Sequence, residues 1–131
     1  MASGHGNLTV GGELRTFSFT AVQHSDGSVT GESELKSRAS GTVIHARVDC
    51  LTVVGNHAYV GGVVTKATNP AFVGKPCVFA VVDNGEGANA APDEISLFFT
   101  FVNPPSEDCT GATAHTASTR PIEAGNIQVQ P

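Results

Sequence analysis

ELRTFSFTAVQHSDGSVTGESELK, residues 13–36, carries the clearest structural signal in the chain. Its first half alternates, with Phe17, Phe19 and Ala21 on one face and Ser18, Thr20 and Val22 on the other. A period of two with large apolar groups on one side marks a strand lying against a core. Ser25-Asp26-Gly27-Ser28 follows, and Asp-Gly favours a tight reversal. The second half alternates again. Val29, Gly31, Ser33 and Leu35 share a face, opposite Thr30, Glu32, Glu34 and Lys36. The charged set belongs in solvent, which turns small residues inward beside the two Phe. That large-against-small match suits a tightly curved antiparallel hairpin.

The same rhythm extends in both directions. A short strand over 6–10 precedes Gly11-Gly12, and the hairpin strands cover 13–24 and 29–36. After a polar break, a long strand over 41–54 has an ambiguous phase near Cys50-Leu51, which a β-bulge reconciles. Gly55-Asn56 is a second hairpin turn. The strand over 57–66 buries Ala58, Val60 and Val64, with a bend at Gly61-Gly62. The stretch 77–83 is apolar on both faces, and 94–102 places Ile95, Leu97, Phe99 and Phe101 together. Residues 103–124 read as a long polar loop with at most one short strand. Residues 125–130 close the chain with Ile127 and Val129 inward. The expectation is an all-β fold, a single antiparallel barrel or sandwich of about seven to nine hairpin-connected strands. Residues 1–131 form one domain in this reading.

Composition agrees. The 16 Val, 13 Thr and 4 Ile outnumber the 19 Leu, Met, Glu, Gln and Lys taken together, which excludes an all-helical protein or a coiled coil. The net charge is −5, and the seven Lys and Arg are scattered, so no basic stripe exists to meet a phosphate backbone. Apolar runs are strand-sized, well short of the roughly 20 residues of a membrane helix. The opening Met-Ala-Ser-Gly-His-Gly has neither a basic nor an apolar segment and reads as no export signal.

Cys50, Cys77 and Cys109 form no Cys-x-x-Cys pair, which argues against a zinc knuckle or a redox motif. One disulfide and one leftover thiol are expected, with Cys50 bonded to Cys109. Cys109 lies in the polar segment Ser-Glu-Asp-Cys-Thr-Gly, whereas Cys77 opens an apolar strand and packs as a hydrophobe.

Several short motifs occur in a recognisable order. They are Arg-Thr-Phe-Ser-Phe (15–19), Asp-Gly-Ser-Val-Thr-Gly (26–31) and Gly-Asn-x-Ala (55–58), then Phe-x-Val-Val-Asp-Asn-Gly-Glu-Gly (79–87), Asp-x-Ile-Ser-Leu (93–97) and Gly-Asn-Ile-Gln-Val (125–129). The arrangement resembles the small secreted bacterial β-domains of the post-choice-of-anchor type and related stand-alone proteins. The resemblance spans nearly the whole chain. It implies export, an extracellular setting and an all-β fold, and it carries no catalytic residues. The long 103–124 segment and the histidines depart from the shorter members.

Candidates for chemistry are few. His45, Arg47 and Asp49 share one face of the fourth strand, and in a closed barrel that face would line a cavity; in a sandwich it is merely solvated. His5, His24, His57 and His115 have no metal-ligand spacing and read as turn-end or surface residues. Asp83, Glu86 and Asp93 flank a loop with oxygen ligands suited to calcium, although the spacing is not that of an EF-hand. The alternative is a strand-ending turn in which Asp83 and Asn84 bond nearby backbone groups. No nucleophile elbow or phosphate loop is present. The favoured function is a secreted, non-enzymatic β module that binds a small molecule or a protein, a second copy included, or serves as a structural unit. No cofactor, nucleic acid or membrane insertion is expected. The alternatives are an enzyme built on His45, Arg47 and Asp49, or a metal-stabilised domain.

Overall fold

The computed structural model of the chain describes residues 1–85, 89–96, 99–100 and 118–130. Ten strands form one sheet, with no α-helix among the described residues. They are β1 (Ala2–Val10), β2 (Glu13–Gln23), β3 (Val29–Ser37), β4 (Val43–Val54) and β5 (His57–Ala67), followed by β6 (Pro76–Val82), β7 (Glu94–Ile95), β8 (Phe99–Thr100), β9 (Arg120–Pro121) and β10 (Ala124–Val129). Pairing is antiparallel throughout, in the order β10-β1-β2-β3-β4-β5-β6-β7-β9, with β8 also on β6.

The hairpin at 13–36 forms as its alternation predicts. Phe17 pairs with Leu35, Phe19 with Ser33 and Ala21 with Gly31, and Phe17, Phe19, Ala21 and Ser33 are buried. Asp26 holds the turn, its Oδ1 accepting the Ser28 N–H at 2.9 Å and the Ser28 hydroxyl at 2.6 Å. These bonds to the charged form hold the Asp26 carboxyl below the usual carboxylate range. Gly11 and Gly12 both have positive φ, which gives the two-residue β1–β2 turn the twist its strands need.

β1 begins at Ala2, earlier than the expected residue 6, because Phe rings of β2 cover its glycines. Gly4 pairs with Phe19 and Gly6 with Phe17. A Cβ at Gly4 would lie 3.0 Å from the Phe19 ring, and one at Gly6 would lie 3.1 Å from the Phe17 ring. The aromatic rings occupy the space the missing side chains leave, which compensates glycine's poor strand propensity. Phe19 meets Phe79 edge-on, with centroids 5.3 Å apart. Around them Val60, Val64, Val81, Ile95 and Ile127 complete the core.

Two irregularities interrupt the β4–β5 ladder. The register shifts between His45 and Ala46 and again between Val48 and Cys50, which leaves Thr65 and Asp49 as bulge residues. The second shift is the one the ambiguous phase near Cys50 implies. Of the expected strand over 94–102, the described residues form two short pieces, β7 and β8, both on β6; residues 97–98 and 101–102 lie outside the described ones.

Among the described residues the ladder does not close into a barrel. β10 and β9 are its two edges, and no strand pairing joins β10 to β6, β7 or β9 among the described residues. The edges nevertheless meet. The Ile122 N–H donates to the Asp93 carbonyl beside β7, and the next N–H, of Glu123, donates to the Asn7 carbonyl of β1. The chain thus steps from one edge of the sheet to the other within two residues.

Candidate functional site

His45, Arg47 and Asp49 do not line an interior. On β4 the buried residues are Ala46 and Val48, while Arg47 and Asp49 are exposed and the His45 side chain is 31% exposed. The polar alternates of β4 therefore face solvent. The bulge at Asp49 further takes that residue out of step with the other two. The cavity-lining reading of these three residues is overturned, because Phe and Val side chains fill the concave side of the sheet.

The outer face does assemble one small constellation that spacing alone could not show. His45 Nδ1 lies 3.2 Å from Thr65 Oγ1, and His45 Nε2 lies 3.8 Å from Glu32 Oε2. Thr65 is a bulge residue, and its hydroxyl also donates to the His45 carbonyl. Glu32 is 76% exposed, so its attraction to the imidazole is screened by water and contributes about 0–1 kcal/mol. Shallow grooves of about 520 and 290 Å³ flank His45, one bordered by Lys66 and Thr68 and the other by Ser18 and Thr20. His24 contacts Thr30 and His57 contacts Asn56, each at a strand end, while His5 is exposed on β1; His115 lies outside the described residues. Among the described residues no three His, Cys, Asp or Glu side chains gather where a metal ion could be held.

The acidic residues proposed for calcium have another task. Asp93 is 5% exposed, and a carboxylate at that depth needs partners. Its Oδ1 accepts the Asn84 N–H and its Oδ2 accepts the Ile127 N–H, each at 2.8 Å. Asp83 does likewise, with Oδ1 accepting from Gly85 N–H at 2.9 Å and Oδ2 from Val129 N–H at 3.0 Å. The local half of this network is the strand-ending turn that the sequence offers as the alternative to calcium. The long-range half is a clasp: Ile127 and Val129 lie on the open edge of β10, and the two carboxylates take the N–H groups that a neighbouring strand would take. Each carboxylate oxygen of Asp83 and Asp93 accepts a backbone proton, and Glu86, the third residue of the calcium reading, lies outside the described residues.

A pocket of about 270 Å³ opens at one end of the curled sheet. Glu13 and Arg15 enter it from the inward column of β2 that continues into Phe17 and Phe19, and Leu35 and Ile44 form its apolar wall. The Ser37 hydroxyl donates to Glu13 Oε1, and Ser40 and Thr42 pair their hydroxyls at the rim, 2.9 Å apart. The Arg15 Nε is buried and has no hydrogen-bond partner among the described residues. The parity of residues 13, 15, 17 and 19 would have placed this arginine and Glu13 on the core face, and both charges are missed by reading that face only from its Phe.

Cys77 is the free thiol among the described residues and is 2% exposed, and burial pushes its pKa up to about 12. Cys109 lies outside the described residues, so the pairing with Cys50 falls there as well. No helix among the described residues is long and apolar enough to cross a membrane. With fold and sites in place, comparison of the chain with protein-family models, curated proteins and solved structures finds no match.

Proposed function

We propose that this chain is a secreted, non-enzymatic β module that binds a ligand or partner or serves as a structural unit. The observation that carries this reading is the use made of Asp83 and Asp93. Segments 79–87, 93–97 and 125–129, which support the resemblance to secreted bacterial β-domains, are the segments that meet at the clasp. The bonds of Asp83 and Asp93 to β10 support a structural role for these residues. Export accords with the expected Cys50–Cys109 bond, since such bonds persist outside the reducing cytoplasm.

One observation favours a catalytic reading, namely the Thr65–His45–Glu32 series on the outer face. An imidazole between a hydroxyl and a carboxylate has the order of a nucleophile, a base and an orienting acid. Here the acid swings in open water, and a relay at high dielectric gains little. The test is a panel of chromogenic esters, phosphomonoesters and glycosides assayed with the wild-type chain and with His45→Ala. No turnover above the variant is expected. Turnover that disappears in His45→Ala would overturn the proposal.

A further inference from the structure

We infer that the end pocket around Arg15 is a binding site for a small monocarboxylate with a short apolar body. The inference deepens the module reading above and rests on it. Three features define the site. A guanidinium projects from the inward face of β2 with its Nε buried and without a hydrogen-bond partner among the described residues. A buried donor on a charged group is costly to leave unpaired, and an anionic acceptor forms the strongest bond to it. Leu35 and Ile44 supply apolar lining, and the paired hydroxyls of Ser40 and Thr42 line the same pocket. Glu13 shares the pocket, its Oε1 taken up by the Ser37 hydroxyl. This second charge sets the ligand class. A dianion such as phosphate would gain one guanidinium while meeting a carboxylate, whereas a monoanion leaves its hydrocarbon end for Leu35 and Ile44.

The probe is hexanoate, titrated into 15N-labelled protein and followed by amide chemical shifts, with inorganic phosphate and hexylamine titrated in parallel. Saturable shifts at residues 13, 15, 35, 37 and 44 are expected, with a dissociation constant on the order of 1 mM for so small a ligand. Arg15→Gln, with its spectrum showing native dispersion, is expected to weaken hexanoate binding at least tenfold. Glu13→Gln keeps the guanidinium and removes the competing charge, so it binds hexanoate at least as well as wild type. It also covers the case in which the Arg15 variant fails to fold. Absence of saturable shifts overturns the inference. So does hexanoate binding that survives Arg15→Gln, hexanoate binding that weakens in Glu13→Gln, or tighter binding of phosphate or hexylamine at these residues. Any of these results leaves the non-enzymatic reading standing, whereas loss of turnover in His45→Ala would remove that reading and leave the pocket untouched.

Discussion

Cys77 lies on β6 opposite Gly62 of β5, in a strand buried from Cys77 to Val82, where a thiol acts as a small hydrophobe. Burial disfavours the thiolate and raises the pKa from 9.0 to about 12. The folded chain therefore holds this proton where the unfolded chain has released it. The contribution to stability is full below about pH 9 and is lost as the pH rises towards 12. Urea midpoints measured from pH 8 to 11 should fall with pH in the wild type and less steeply in Cys77→Val. An equal slope in both would show that Cys77 is not the titrating group. The same burial orders the alkylation pattern read by intact mass. Native protein should take up no iodoacetamide, denatured protein one equivalent at Cys77, and denatured, reduced protein three. Three equivalents without reductant would sink the Cys50–Cys109 pairing. The role of Cys77 was legible because its neighbours on both sides are apolar. Arg15 was not, because two dominant Phe on its own face hid the fact that an arginine shared it.

β1 shows how strand formation depends on residues far along the chain. Read alone, Ser3-Gly4-His5 gives no strand signal, since glycine gains nothing from packing and loses much conformational freedom on folding. Phe17 and Phe19 make it a strand, and they do so only once β2 lies alongside. A Cβ at Gly6 would come within 2.3 Å of the Ala124 carbonyl as well as touching Phe17, so backbone on the β10 side must move. Gly6→Ala should therefore destabilise by about 1–3 kcal/mol in urea titration, as overpacked sites do. His5→Ala, one residue away on the exposed face, should stay within about 0.5 kcal/mol. Equal losses for the two variants would refute the tight β10-β1-β2 contact. Elements whose alternation stands on their own residues, β2, β3 and the buried set of β5, were legible from sequence. The early start of β1 was not, and neither were the short pieces β7 and β8, whose pairing with β6 no local pattern announces.

Closure is a property of the whole chain. The barrel-or-sandwich alternative could not be resolved from alternation, because both give the same inward and outward faces. The outcome turns on the second side of β10, where, among the described residues, Asp83 and Asp93 rather than a strand take the N–H groups. No local signal announces this, since residues 83 and 93 must meet 129 and 127 across the sheet's whole circumference. The arrangement leaves an edge that water would otherwise reach, held by charge-assisted bonds that side chains rather than a ladder provide. Asp93→Asn puts an amide donor against either the Asn84 or the Ile127 N–H and leaves a buried donor unpaired. A loss of about 3 kcal/mol follows, on the order of 10 °C in Tm. Asp26→Asn is the control, because an amide oxygen in that exposed turn can still accept from Ser28, and a much smaller change than that of Asp93→Asn is expected. Hydrogen exchange separates a clasp from general destabilisation. Asp93→Asn should accelerate the Ile127 amide, and Asp83→Asn the Val129 amide, well before amides of the β2–β3 hairpin respond. If Ile127 and the hairpin instead accelerate together, the two edges are held by the core alone and the carboxylates are incidental to closure.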